Sequence, residues 1–147
     1  MPVGLTPGQY SRFQVHRIKA SDMEAAPLLE LPFNPGVTLK GYKTEIDEPA
    51  AQVIVEDFLP GTEFSWTFVH DELQYALSGK IDIEVFLPPL YGESVKTTLD
   101  EGCIYLFPAG TRMHVKVLGD EPYRHICICV PNPGYPFPPA ESMGGAG

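Results

Sequence analysis

Short runs rich in Val, Ile, Phe and Tyr, broken by Gly and Pro, make up most of this 147-residue chain. Period-two alternation within such runs predicts half-buried strands, and the Gly and Pro punctuation predicts tight turns. Strands are expected over residues 14–19, 37–45, 51–58, 64–68, 73–77, 81–87, 95–99, 103–107, 113–118 and 124–130. Turns are expected at Pro60-Gly61, Ser78-Gly79-Lys80, Pro88-Pro89, Asp100-Glu101-Gly102, Pro108-Ala109-Gly110 and Gly119-Asp120. One helix signal stands out. Ser21 and Glu24 form a capping box before residues 25–31, and Pro27 and Pro32 keep that helix short. The pattern predicts an all-β sandwich or jelly-roll barrel with a short N-terminal helix.

Length and composition fit one domain that buries a core without disulfides or a structural metal. The chain is 44% hydrophobic and 20% charged. Three parts are expected: residues 1–35 as an N-terminal strand and helix packing on the barrel, 36–131 as the barrel, and 132–147 as a Pro/Gly-rich tail. Residues 133–139 of the tail are expected to pack extended across the barrel, and 140–147 to be disordered. The net charge of -9, with no basic run, argues against a nucleic-acid partner. The cysteines, Cys103, Cys127 and Cys129, are odd in number and lie in apolar runs, which favours free buried thiols in a reducing compartment. No secretory signal or membrane-length apolar run is visible, so the cytoplasm is the expected location and no membrane partner is expected.

Two segments carry the chemistry. Residues 72–79 read Glu-Leu-Gln-Tyr-Ala-Leu-Ser-Gly, and Gly102, Pro108 and Gly110 fall at G-x5-P-x-G spacing. Both resemble the motifs of the cupin superfamily, E-x-x-Y-V-L-x-G and G-x5-P-x-G-x-x-H, over a frame of residues 36–131. The resemblance implies a jelly-roll barrel with an interior site, and in most members a metal held by three histidines and a carboxylate. The carboxylate position is Glu72. The histidine pair falls at Trp66 and Phe68, or at Ser65 and Thr67 with the longer spacing, and the last histidine at Met113. None is a histidine. His114 is one residue late, and alternation with Met113, Val115 and Val117 turns it toward solvent. The Asp71-Glu72 step with non-histidine flanks is similar to the EutQ-like branch, which departs from the standard ligands.

The remaining candidates are weighed individually. His70 and Glu72 share a strand face and are the catalytic candidates: His70 to move a proton and Glu72 to orient it. The plainer alternative for His70 is a solvated turn. Trp66 and Phe68 wall a pocket or simply fill the core, and Gln74 and Met113 join them as substrate-binding candidates. His125 is a further one, on a strand where either face can look inward. Core packing is the simpler reading of Cys127 and Cys129. Arg112 at a turn meets an anion or water, and His16 lies on a surface strand. Three functions are carried forward. The first is a cupin-fold enzyme acting on a small, partly apolar metabolite by acid–base chemistry, of lyase, isomerase or decarboxylase type. The second is a non-catalytic small-ligand-binding or accessory cupin, and the third a metal-dependent dioxygenase with irregular ligands. No cofactor is expected under the first, with an irregularly held divalent metal as its variant. A small-molecule ligand and a homodimer, through outward Tyr75 and Leu77, are the expected partners.

Overall fold

A computed structural model describes residues 15–135, and of residues 42–47 the backbone only. The expectations for residues 1–14 and 136–147 lie outside the described residues. The chain forms two antiparallel sheets. Strands β1 (Leu28–Glu30), β2 (Thr38–Glu48), β3 (Ala51–Phe58), β10 (Tyr123–Val130), β5 (Asp71–Ser78) and β8 (Ile104–Phe107) make a six-stranded sheet in that spatial order. Strands β4 (Glu63–Thr67), β9 (Arg112–Leu118), β6 (Lys80–Leu87) and β7 (Glu93–Asp100) make a four-stranded one. The sheets face each other across a core that includes Leu39, Phe58, Phe64, Phe68, Ile81 and Val115. This is the expected jelly roll, and the strands over residues 51–130 fall within two residues of the predicted bounds.

The N-terminal region departs from expectation. The helix α1 is Ala20–Glu24, not residues 25–31. Lys19 N–H donates to Asp22 Oδ2 at 2.7 Å, so Lys19 and Asp22 form the cap in place of Ser21 and Glu24. Pro27 then biases the preceding residue away from helix. Leu28–Glu30 goes instead to the edge of β2, with Leu29 opposite Leu39. Residues 15–19, expected as part of a strand over 14–19, form no regular secondary structure. With α1 they cover the outer face of β3 and β10, where Met23 is buried and Leu77 becomes a partner. Beneath this cover Arg124 donates from Nε and NH2 to the two oxygens of buried Asp57 at 2.8 and 2.9 Å. This bidentate pair compensates for burying the charge. No helix among the described residues is long and apolar enough to cross a membrane.

Gly79 turns β5 into β6 with φ +85, and a Cβ there would lie 2.3 Å from the Pro122 carbonyl oxygen. Both the left-handed backbone and the backbone contact require glycine. Gly79→Ala is expected to lower the unfolding free energy by at least about 2 kcal/mol, measured by urea denaturation against the parent.

Candidate functional site

The inner walls of the barrel differ in chemistry. The four-stranded sheet presents apolar groups such as Phe64, Trp66, Met113 and Val115. The six-stranded sheet presents polar ones, in layers fixed by register. Gln52, Cys129 and Glu72 lie side by side on β3, β10 and β5. The next layer is Ile54, Cys127, Gln74 and Tyr105, and the third is Glu56, His125 and Ala76.

Glu72 centres the first group. His70 is in the bend just before β5, not on the strand, yet its ring is turned inward and is 2% exposed. Its Nε2 is 2.9 Å from Glu72 Oε1. Cys129 Sγ donates to the same oxygen at 3.3 Å, and Gln74 Nε2 donates to Oε2. Gln74 Oε1 in turn accepts from the Tyr105 hydroxyl at 2.6 Å, which lies 2.7 Å from that of Tyr123. Burial acts to raise the Glu72 pKa, but the hydrogen bonds from His70, Gln74 and Cys129 outweigh it and hold the carboxyl below its ordinary value. Burial drives the Tyr105 and Cys129 groups upward, and Tyr123 to about 12, so these remain protonated donors. A carboxylate only accepts, so His70 Nε2 carries a hydrogen and Nδ1 accepts from the Tyr135 hydroxyl at 3.2 Å. Tyr135, His70 and Glu72 thus form one chain of hydrogen bonds.

A second group lies deeper. Glu56 Oε1 is 3.1 Å from His125 Nε2 and accepts from Cys127 Sγ at 2.9 Å. His125 Nδ1 is 3.1 Å from the Tyr123 carbonyl oxygen. All three side chains are buried. The donor atoms of Glu56, His125 and Cys127 lie within 4.8 Å of one another, as do those of His70, Glu72 and Cys129, so each set could hold a metal ion.

Between the walls is an interior cavity of about 40 Å³, lined on the polar side by Gln52, Glu56, Glu72, Gln74, Cys127 and Cys129. It has room for a few water molecules. Gln52 is 1% exposed, and neither end of its amide finds a hydrogen-bond partner among the described residues. An orphaned buried amide on a cavity wall marks a place for a polar occupant. Outside lies a cleft of about 710 Å³ lined by Phe33, Trp66, Val69, Phe86, Arg112 and Tyr135, among others. Trp66, Met113 and Tyr135 line both spaces. Tyr135 packs edge-on against Trp66 (5.4 Å) and His70 (5.3 Å), and so separates cavity from cleft. Pro133, Gly134 and Tyr135 line the cleft, and residues 136–139 lie outside the described residues.

The structure brings His70, Glu72 and Gln74 together, and sets Trp66, Phe68 and Met113 on the facing wall. Phe68 is a core residue stacked 4.5 Å from Phe107. His125 faces inward but bonds Glu56, away from Glu72. His114 points away from the core, between Ser65 Oγ (2.8 Å) and Glu63 Oε2 (2.7 Å). Arg112 sits on the cleft with its guanidinium 3.9 Å over the Tyr91 ring. Sequence reasoning missed Gln52, Glu56, Tyr105, Tyr123 and Tyr135. Alternation along residues 51–58 sets Gln52 and Glu56 on one face with Ile54 and Phe58, and was the available signal for those two.

The two-sheet barrel with a site between its sheets defines a small jelly-roll protein. Its fold is that of the cupins. The Schizosaccharomyces pombe Cnp3 cupin domain is similar at TM-score 0.53 and 20% identity, over 63% of this chain and 64% of that one. KdgF from Halomonas sp. is similar at TM-score 0.55 and 18% identity, over 72% and 87%. The Clostridium difficile EutQ protein is similar at TM-score 0.52 and 20% identity, over 68% and 67%. The match thus spans just under two thirds of the Cnp3 chain. No protein-family model matches the chain, and no curated protein matches it by sequence. The three-histidine centre usual in the family does not fit here. The positions the resemblance implies, Trp66 and Phe68 or Ser65 and Thr67, and Met113, carry no histidine, and His114 bonds Glu63 away from the core.

The lowered Glu72 pKa fixes a pH dependence. A carboxylate depressed in the fold contributes stability above its unfolded value of about 4.3 and loses it as pH falls through the folded value. Glu72→Gln is therefore expected to be less stable than the parent by about 1–3 kcal/mol at neutral pH. That gap should shrink as the medium is acidified below the unfolded value, in urea titrations of both proteins over a pH series.

Proposed function

We propose that this chain is a small-molecule cupin in which the His70–Glu72 pair performs acid–base chemistry, of lyase, isomerase or decarboxylase type. The observation that carries the reading is the position of His70. One ring nitrogen is fixed on a buried carboxylate, and the other meets a hydroxyl at the seam between cavity and cleft. A carboxylate behind an imidazole fixes its tautomer and stabilises its protonated form when it takes a proton. The Tyr135 hydroxyl holds the place on Nδ1 that a ligand hydroxyl or acidic C–H would take. The ligand would lie in the cleft against Trp66, Val69 and Phe86, a space of the size that drug-sized molecules fill. Arg112 on the cleft suits a carboxylate on that ligand. Tyr135 must swing away for the ligand to reach His70.

The second reading, a ligand-binding cupin without turnover, is favoured by the size of the inner cavity, about 40 Å³. One experiment separates the two. A panel of small hydroxy- and oxo-carboxylic acids is incubated with the protein in deuterated buffer and followed by NMR. The enzyme reading expects deuterium incorporation into at least one compound, slowed at least about 100-fold in His70→Gln. Binding seen as chemical-shift changes without exchange would favour the binder, and no binding by any compound would count against both.

As protein partner we propose a second copy of the chain. Leu73, Tyr75, Ile128 and Val130 lie exposed on the outer face of the six-stranded sheet, beside Ile104 (71% exposed) and Leu106 (51%) on β8. β8 is the edge strand, with backbone groups open to a further strand. By contrast β7, an edge of the four-stranded sheet, carries Glu93, Lys96, Thr97 and Thr98, polar residues that disfavour pairing with a further strand. Light scattering on the eluted protein should give a dimer mass, and Ile104→Lys a monomer. A monomeric parent would overturn the proposal.

A further inference from the structure

The deeper group of buried side chains plays no part in the acid–base reading, and its hydrogen bonding contains a conflict. His125 Nδ1 faces the Tyr123 carbonyl oxygen, which only accepts, so that nitrogen carries a hydrogen. A neutral ring then turns the Nε2 lone pair toward Glu56 Oε1, a second acceptor, 3.1 Å away. The His70 ring has no such conflict, because a hydroxyl can donate to its other nitrogen. Either a proton or a metal cation must therefore lie between His125 Nε2 and Glu56 Oε1.

We propose that Glu56, His125 and Cys127 hold a divalent metal ion of the zinc class. Sulfur, imidazole and carboxylate together suit zinc and disfavour magnesium or calcium, which take oxygen ligands. Cys127 Sγ and His125 Nε2 lie 2.9 and 3.1 Å from Glu56 Oε1. Tetrahedral zinc, with bonds of about 2.0–2.1 Å to N and O and about 2.3 Å to S, sets its donors about 3.3–3.6 Å apart. An outward shift of a few tenths of an ångström admits the ion. The Tyr123 carbonyl already orients the imidazole as a supporting group does at metal sites.

Charge favours the same occupant. Glu56, Glu72 and two thiols line the cavity, and no Lys or Arg is among its lining residues. The Cys127 thiol donates to Glu56 Oε1, so it carries its proton when no cation is bound. The metal would displace that proton and take the thiolate, so uptake releases one proton from Cys127. Glu56 and Cys127 both line the cavity, which leaves its space to supply a fourth ligand, water or a small molecule. None of the three residues belongs to the two cupin motifs.

The test is elemental analysis of protein expressed with added zinc and purified without chelator, alongside a cobalt-substituted preparation. Stoichiometric zinc and a thiolate-to-cobalt charge-transfer band are expected. Cys127→Ser should lose the band, Glu56→Gln should weaken zinc binding more than about 100-fold, and Cys129→Ser should keep both. Should a variant fail to fold, nitrogen NMR of the His125 ring in the intact protein decides. Metal binding shifts Nε2 and leaves Nδ1 protonated. A His125 ring protonated on both nitrogens in the presence of zinc would overturn the proposal. So would loss of the band in Cys129→Ser but not in Cys127→Ser, since that places the ion with His70 and Glu72.

Discussion

Glu72 is 8% exposed on a strand that faces the barrel interior. Burial by itself would keep its carboxyl neutral, since an ion loses its water there. Three donors, from His70, Gln74 and Cys129, take the place of that water. Each donor then needs a position of its own. Gln74 can donate to Glu72 because its oxygen is occupied by Tyr105, and Tyr105 is braced by Tyr123. His70 holds its tautomer because Tyr135 meets its other nitrogen. One buried charge therefore couples β5, β8, β10 and the start of the tail into a single polar network. The loop that carries His70 is pinned by Asp71, whose side chain accepts from Ala109 N–H at 2.8 Å.

Only part of this was legible from alternation. Period two turned His114 outward from Met113, Val115 and Val117, but on β5 it would have buried Leu73 and Tyr75, and the resemblance to the cupin motif was what set Glu72 and Gln74 inward. On β10 the rule was silent. His125, Cys127 and Cys129 alternate with Arg124, Ile126 and Ile128, so the hydrophobic pattern marks no outer face. The reason is tertiary: residues of the segment before and in α1 form a groove with the outside of β10, where Ile126 is half-buried. The N-terminal helix was misplaced for a related reason. Two capping boxes overlap in residues 19–24, and the choice fell to Leu28–Glu30, which gains pairing and burial against β2. Tyr135 had no periodic signal at all, being set in a Pro/Gly-rich stretch where neither period applies.

This chain has the cupin fold with its polar chemistry on one wall. The histidine positions of the two motifs fall on or beside β4 and β9, and in this chain Trp66, Phe68 and Met113 make that side apolar. Histidine and thiol appear instead on β10 and in the bend before β5, facing the motif carboxylate and the additional one at Glu56. Such a barrel presents a polar half and an apolar half to anything between its sheets. Under the proposed function, the end of a ligand that passes Tyr135 would meet the hydrogen-bonding groups of the six-stranded sheet, and the part left in the cleft would lie against Trp66, Val69 and Phe86. A nonpolar ligand would leave the Gln52 amide orphaned, and a fully hydrated one would be stripped of water along the aromatic wall without compensation. Under the proposed function, the fitting ligand is a small amphipathic molecule with its acidic proton or oxygen near one end. That end would meet His70 once Tyr135, which lines both cavity and cleft, gives up its hydrogen bond to Nδ1.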